Sequence, residues 1–123
     1  MAKKKILIIE DEPSLIKSLQ IALEPEYETL ISTEGKPGFK LAKEQKPDLI
    51  LLDVMLPDTD GIEVLKNLRT DEKTDDIPVI ISTNLADQAT VSRILAAGGK
   101  EYIVKSDWGI NDIIKKIEQT LEK

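Results

Sequence analysis

The chain has 123 residues, of which 41% are hydrophobic and 33% are charged, a balance typical of one folded domain over residues 1–123 rather than of a disordered segment. Its net charge of −6 argues against direct binding to nucleic acid or to an anionic membrane, because phosphate groups attract Lys and Arg. The sequence contains no cysteine and no histidine, which excludes disulfides, Cys/His zinc sites and every histidine-based catalytic mechanism.

The amino-terminal segment offers no targeting signal. Three lysines at positions 3–5 precede an apolar run that extends only over residues 6–9. A secretory signal or a membrane span needs a much longer apolar run. We therefore expect a cytoplasmic protein whose partners are proteins or small molecules.

Strand patterns and helix patterns alternate along the chain. Short continuous apolar runs are typical of buried parallel strands, and they predict strands at residues 6–9, 49–53, 79–82 and 102–104. A weaker, more polar strand is predicted at residues 27–32. Apolar residues at helical spacing follow each strand, in segments that begin near Pro13, Gly35, Gly61, Asp87 and Ile110. Five such units with right-handed crossovers predict an α/β fold, a flavodoxin-like three-layer sandwich with five helices and a five-stranded parallel sheet of order 2-1-3-4-5.

Two helices have defined apolar faces and ends. The first is predicted to end before Pro25 and to turn inward Leu15, Ile16, Leu19, Ala22 and Leu23. The fourth is predicted to start at the cap Asp87, to end at the two glycines at 98–99, and to carry Val91, Ile94 and Leu95.

Polar residues stand where the predicted central strands end. Glu10 and Asp11 follow the first strand, Asp53 ends the third, Thr83 follows the fourth and Lys105 follows the fifth. The carboxyl ends of parallel strands meet at one edge of an open sheet, where ligands bind. Two carboxylates about 4 Å apart repel by roughly 4 kcal/mol at an effective dielectric near 20, a large share of the roughly 5–15 kcal/mol of net stability of a domain. The three acids therefore predict a bound cation.

The residue types at this edge suit magnesium. Mg²⁺ prefers oxygen ligands and is usually held by one or two carboxylates together with phosphate oxygens. This preference favours direct ligation by Asp11 and Asp53, with Glu10 acting through water.

Four segments resemble the response-regulator receiver domains of two-component signalling. They are ILIIEDEP at 6–13, LLDVMLPDTDG at 51–61, PVIIST at 78–83 and AGGKEYIVK at 97–105. The resemblance extends from Lys5 to about Leu121.

The resemblance implies a role for each site residue. Asp53 would accept a phosphoryl group, and Thr83 and Lys105 would contact that group. The implied ligands of Mg²⁺ (or Mn²⁺) are Glu10, Asp11, Asp53 and the backbone carbonyl of Met55.

The resemblance also implies partners and a mode of action. A sensor histidine kinase or a histidine phosphotransfer protein would supply the phosphoryl group, and a downstream protein target would bind the surface of the fourth helix, fifth strand and fifth helix. Tyr102 would be partly buried or part of the switch. We expect a signalling phosphoacceptor and not an enzyme, either monomeric or dimerising on phosphorylation, and either stand-alone or cut from a longer regulator.

Four positions depart from the family pattern, one of which is Thr59, where the family often has methionine. Ser106 stands where the family usually has proline in a cis peptide, and a non-proline cis bond costs roughly 2.5–4 kcal/mol. We therefore expect a trans bond and a differently shaped loop, with Lys105 still reaching the pocket. Asn84 replaces a small residue, and Glu10 replaces the more common aspartate.

Two apolar residues are predicted to flank the phosphoryl site. Met55 and Leu85 lie two positions beyond Asp53 and Thr83 respectively. We predict that this apolar rim slows the attack of water on phosphorylated Asp53 and so prolongs the signal.

Other functions fit the sequence less well. A flavin-binding protein would need a Ser/Thr/Gly-rich phosphate loop where this chain has three acids at 10–12, and a dehalogenase-type phosphatase would need a second aspartate in place of Met55. Taken singly, Asp53 fits a helix cap, and the first acid pair fits a favourable charge at a helix N-terminus. A degenerate receiver that acts as a phosphorylation-independent interaction scaffold is the alternative that stays open.

Overall fold

In the computed structural model, which describes residues 3–84 and 87–122, five strands alternate with five helices. The strands are β1 (Lys5–Ile9), β2 (Glu28–Ser32), β3 (Leu49–Asp53), β4 (Val79–Thr83) and β5 (Glu101–Val104). The helices are α1 (Pro13–Leu23), α2 (Gly35–Gln45), α3 (Gly61–Thr70), α4 (Gln88–Ala96) and α5 (Ile110–Glu122). The predicted order and type of the elements are confirmed, and the strand bounds differ from the predicted ones by a single residue where they differ at all.

The sheet has the predicted topology. All neighbouring strands are parallel, in the order β2-β1-β3-β4-β5. The chain adds β2 on one side of β1 and β3 on the other, so the helices that follow β1 and β3 pack on opposite faces. This arrangement leaves a crevice at the carboxyl ends of β1 and β3.

Alternate residues of the central strands enter two apolar cores, one on each face of the sheet. Leu7 and Ile9 of β1 belong to the core that also contains residues of α2, α3 and α4. Ile6 and Ile8 belong to the core that contains residues of α1 and α5. Each fully buried side chain of this size contributes roughly 1.5–3 kcal/mol, so the strands form a rigid platform for the residues at their carboxyl ends.

Two side chains that were predicted to face inward are exposed. Ala22 lies at the surface because Leu19 and Leu23 occupy the part of α1 that contacts the sheet. Leu95 is 58% exposed because α4 turns the neighbouring Ile94 inward. The helical spacing was right in both cases, but the covered stripe is narrower than predicted.

Helix α4 has the predicted ends and few buried residues. The Asp87 side chain caps it by accepting a hydrogen bond from the Thr90 N–H at 3.1 Å. Gly98, which follows the helix, adopts a φ of 93°, a value that favours glycine. Within the helix, Thr90 and Ile94 are the buried residues.

The other helices are also short and amphipathic. The longest, α5, has 13 residues and buries Ile113 and Ile117. No helix within residues 3–84 and 87–122 combines the length and the apolar character that a membrane crossing requires.

Candidate functional site

Three acidic side chains meet at the carboxyl ends of β1 and β3. Glu10 and Asp11 directly follow β1, and Asp53 is the last residue of β3. One carboxylate oxygen of each lies within 4.8 Å of those of the other two. Glu10 and Asp53 are buried, whereas Asp11 is exposed. The prediction that acids from these two strands share one pocket is therefore confirmed.

The Lys105 ammonium enters the same cluster. Its Nζ lies 2.6 Å from Glu10 Oε1 and 3.3 Å from Asp53 Oδ2. The backbone directs it there, because the Lys105 N–H donates to the Thr83 carbonyl at 2.8 Å. Lys105 thus reaches the pocket as predicted although Ser106 follows it, and the described residues contain no cis peptide bond.

Both oxygens of the Glu10 carboxylate have partners. Oε2 accepts hydrogen bonds from the backbone N–H groups of Asp11 at 3.1 Å and Glu12 at 3.2 Å, and Oε1 contacts Lys105. Hydrogen bonds to an ionised acceptor are roughly twice as strong as neutral ones. Glu10 therefore fixes the Lys105 ammonium, a role that the sequence did not predict.

Burial and charge set the protonation of the cluster. Burial, followed by the charge of Glu10, raises the pKa of Asp53 to about 7, although Lys105 opposes this shift. Burial favours a lower pKa for Lys105, but its hydrogen bond to Glu10 and the charge of Asp53 outweigh burial and raise that pKa. Asp53 is therefore poised to exchange a proton or a cation near neutral pH, while Lys105 stays charged.

The donor set fits a divalent ion. Three carboxylates and one ammonium leave an excess of negative charge, and the raised pKa of Asp53 means that further positive charge is favoured there. Oxygen ligands of this kind suit Mg²⁺ and Mn²⁺. The Met55 N–H lies 3.4 Å from Asp53 Oδ1, so the Met55 backbone adjoins the cluster. Ligation by the Met55 carbonyl stays a prediction.

The remaining predicted residues differ in their exposure. Thr83 is buried at the end of β4, and Asn84 is exposed beside it. Tyr102 is 37% exposed on β5, so it lies at the surface and not partly in the core as predicted. Met55 is 66% exposed. Leu85, its predicted partner in the apolar rim, lies outside the described residues, so the effect of the rim on hydrolysis stays a prediction.

The loop after Asp53 is locked to the strand that carries it. The Gly61 N–H donates to the Val54 carbonyl at 2.7 Å, and a Cβ at Gly61 would stand 2.0 Å from the Asp53 carbonyl oxygen. Only glycine permits two backbones to approach so closely. Asp60, the residue before it, caps α3 with its side chain and pairs with Met55 in a short antiparallel bridge.

Sequence reasoning missed the roles of two acids in this loop. Asp58 accepts hydrogen bonds from the backbone N–H groups of Gly35 at 2.7 Å and Lys36 at 2.9 Å, and thereby caps α2 from a distant segment. Asp60 forms an ion pair with Arg93 of α4. An aspartate directly before the first residue of a helix is a recognised cap signal, whereas an ion pair across 33 positions leaves no local signal.

Known proteins are similar in sequence to this chain over nearly its whole length. The family model of the response regulator receiver domain matches residues 6–118. Response regulator ArlR of Staphylococcus saprophyticus is 38% identical over 120 residues, which cover 97% of this chain and 53% of that protein. The chain thus spans about half the length of ArlR and of other curated relatives that it matches.

Solved structures share the fold. A CheY-like response regulator receiver domain protein from Methanospirillum hungatei has a TM-score of 0.89 at 29% identity, covering 98% of this chain and 95% of that one. The receiver domain of sensor histidine kinase PA1611 from Pseudomonas aeruginosa, with a magnesium ion coordinated in its active site cleft, has a TM-score of 0.86 at 26% identity, covering 99% and 100%. The match over residues 6–118, together with this fold, makes the chain a member of the response regulator receiver domain family of two-component systems.

Proposed function

We propose that this protein is a phosphoacceptor switch in which Asp53 takes a phosphoryl group from a phosphohistidine. The donor would be a sensor histidine kinase or a histidine phosphotransfer protein. The observation that carries the proposal is the cluster itself, in which buried Asp53 lies 3.3 Å from the Lys105 ammonium and beside Glu10 and Asp11. Such a combination of a carboxylate nucleophile, a fixed cation and further oxygen ligands is the equipment of phosphoryl transfer.

The reaction forms one bond and breaks one bond at phosphorus. A carboxylate oxygen of Asp53 attacks the phosphorus while the bond from phosphorus to the donor's imidazole nitrogen breaks. That nitrogen keeps the electron pair and takes up a proton from solvent, and an aspartyl phosphate is left on the chain. Because this sequence has no histidine, the imidazole must belong to the donor. Lys105 neutralises part of the charge that the phosphoryl group brings.

Magnesium, or manganese in its place, is the proposed cofactor. Asp11, Asp53, Glu10 (directly or through water) and the Met55 carbonyl would hold it, and the bound ion supplies positive charge to the phosphoryl oxygens. The chain's own part is to keep Lys105 in place. Glu10 does so through Oε1, and two backbone N–H groups orient that carboxylate.

The proposed output is a change at the surface formed by α4, β5 and α5. A phosphoryl group offers Thr83 and Lys105 a new anionic partner, and the Lys105 backbone is already bonded to the Thr83 carbonyl. A displacement of either residue would therefore bias both β4 and β5. Leu95 and Tyr102 are exposed on this surface and would contact a downstream protein.

The remaining predictions belong to the same proposal. They are a cytoplasmic location, a single domain over residues 1–123, and partners that are proteins rather than nucleic acid or membrane. The protein would promote its own phosphorylation and dephosphorylation without turning over another substrate.

Intact-mass measurement after incubation with Mg²⁺ and a small-molecule phosphodonor tests the proposal. We expect the wild-type chain to gain the mass of one phosphoryl group. Asp53→Asn should gain none, and neither should the wild type without divalent ions. Asp107→Asn, which removes an exposed aspartate, is the matched control and should be phosphorylated normally. A folded wild-type chain that gains no mass, while another receiver domain does so in parallel, would favour the scaffold alternative.

A further inference from the structure

An exposed ion pair joins α4 to the loop that follows the phosphoacceptor. Arg93 Nη2 donates to Asp60 Oδ2 at 2.5 Å. The Asp60 end is fixed in advance, because Oδ1 accepts a hydrogen bond from the Ile62 N–H at 2.8 Å and the Asp60 backbone pairs with Met55. An acceptor that is already ordered loses little conformational freedom when it binds a cation. This ion pair is therefore less costly to form than one between two free surface side chains.

Within the part of the chain that the structure describes, helix α4 buries fewer residues than its neighbour α3. It buries Thr90 and Ile94, whereas the neighbouring α3 buries a continuous apolar stripe of Ile62, Val64, Leu65 and Leu68. Elements with little buried apolar surface open more readily than the core. A single ion pair therefore contributes a larger share of what holds α4 than it would on α3.

Arg93 also lines a cleft that adjoins the residues after Asp53. Arg93 and Thr83 line one cleft of about 480 Å³, and Val54 and Met55, which directly follow Asp53, form another part of its wall. A phosphoryl group carries roughly −1.5 to −2 charge. Guanidinium groups bind phosphate oxygens through paired hydrogen bonds. A phosphoryl group on Asp53 would therefore compete with Asp60 for Arg93.

We propose that the Asp60–Arg93 ion pair is a latch, which holds α4 to the β3–α3 loop in the unphosphorylated protein and which phosphorylation of Asp53 weakens by offering Arg93 a second anion. The second half rests on the proposed function, whereas the first half rests on the contacts of the unphosphorylated chain alone. The latch makes Arg93 a positioning residue that couples the phosphoacceptor loop to the α4 surface.

Amide hydrogen exchange of the segment 87–98, measured by mass spectrometry on the full chain, tests the first half. Arg93→Ala removes the cation, and Asp60→Asn removes the anion but keeps the cap of α3, since Asn caps helices as well as Asp does. We expect exchange in α4 to be about twofold to fivefold faster in each variant. The double variant should exchange no faster than either single variant, because both substitutions break one interaction.

Two controls separate the latch from a general loss of charge. Arg93→Lys keeps a cation and should recover part of the protection of α4. Lys43→Ala removes a partly exposed cation of α2 that pairs with Asp71, so it should leave exchange in α4 unchanged. Unchanged exchange in both Arg93→Ala and Asp60→Asn, or additive effects in the double variant, would overturn the latch.

The second half is tested by repeating the measurement after phosphorylation with Mg²⁺ and acetyl phosphate. Exchange in wild-type α4 should then rise toward that of Arg93→Ala, so that the difference between the two shrinks. A difference that persists in the phosphorylated proteins would show that the phosphoryl group does not compete for Arg93. A wild-type chain that gains no phosphoryl mass would contradict the proposed function instead, and the unphosphorylated comparison would still decide the latch.

Discussion

Two charge clusters connect loops at the carboxyl edge of the sheet, and they differ mainly in burial. The side chain of Lys105 is 12% exposed and those of its partners Glu10 and Asp53 are 4% and 6% exposed, whereas the side chains of Arg93 and Asp60 are 55% and 35% exposed. Buried charges lose their hydration, so removing one partner leaves an uncompensated charge. Exposed charges are screened by water and contribute little. The buried cluster can therefore change the free energy of the whole fold, whereas the exposed pair can only bias a nearby equilibrium.

The largest change in the free energy of unfolding should follow removal of the buried Lys105 ammonium. Lys105→Met leaves two buried carboxylates facing each other, and we expect the free energy of unfolding at pH 8 to fall by about 2–4 kcal/mol. The loss should be smaller at pH 5, because Asp53, whose pKa is about 7, then takes up a proton. Urea denaturation at the two pH values measures both effects.

Lys116→Met is the matched control for that experiment. Lys116 forms an ion pair with Glu101, in which both side chains are partly exposed. Its loss should cost about 0–1 kcal/mol at either pH. Equal losses for the two lysines would refute the distinction between buried and exposed clusters.

The next largest effect should be a gain of stability when Asp53 is replaced by an uncharged residue. The pKa of Asp53 is raised from 3.8 to about 7, so its protonated form favours the folded state. That contribution is complete below the unfolded pKa and is lost as the pH rises through the folded one. Asp53→Asn mimics the protonated form, and in a chelator at pH 8 it should be more stable than the wild type. The gain should be about 3 kcal/mol, less than the roughly 4 kcal/mol that the full pKa change represents, because solvent screens part of the charge. The difference should vanish near pH 4, and a variant that is less stable at pH 8 would contradict the assignment.

A smaller effect should come from the divalent ion. At pH 8 Mg²⁺ should stabilise the wild type by about 2.7 kcal/mol when its concentration is a hundred times the dissociation constant. Asp11 is exposed, so Asp11→Asn should leave stability without Mg²⁺ nearly unchanged and should reduce the response to it. Glu12→Gln removes an adjacent exposed acid and should respond like the wild type. Thermal unfolding with and without Mg²⁺ distinguishes these outcomes, and identical shifts in all three proteins would exclude the proposed ligand set.

The smallest effect should be that of Arg93→Ala on the whole fold. We expect its urea midpoint to match that of the wild type, because the ion pair is exposed and α4 contributes little to the core. Exchange in α4 should nevertheless accelerate. A large fall in the urea midpoint would mean that Arg93 supports the global fold and is not a local latch.

Most of the fold was predictable from the sequence, because the apolar runs of the central strands are typical of buried parallel strands. Residues 6–9 and 49–52 are continuous apolar runs, and both are buried on both faces of the sheet. The helices were predicted less accurately at their edges. Ala22 and Leu95 fit the helical period, yet the width of the stripe that a sheet covers depends on tertiary packing, which periodicity does not encode.

The positions of the site residues that stand at the carboxyl ends of strands were predictable. Glu10, Asp11, Asp53 and Lys105 all follow strand ends, and parallel strands bring such positions to one edge. The partners of Asp58 and the ion pair of Asp60 with Arg93 were not predictable, because they involve helices α2 and α4 and are set by loop geometry. The anchoring of Lys105 by Glu10 was also not predictable, because the sequence gives no distances within the cluster.

The close contact between Gly61 and the end of β3 limits how the main chain of Asp53 can move. The main chain of Asp53 cannot retreat toward α3, because the two backbones already touch there. Bulk added to the Asp53 side chain would therefore have to be accommodated on the sides of the pocket away from Gly61. The lack of a side chain at position 61 thus restricts the directions in which the carboxyl end of β3 can move.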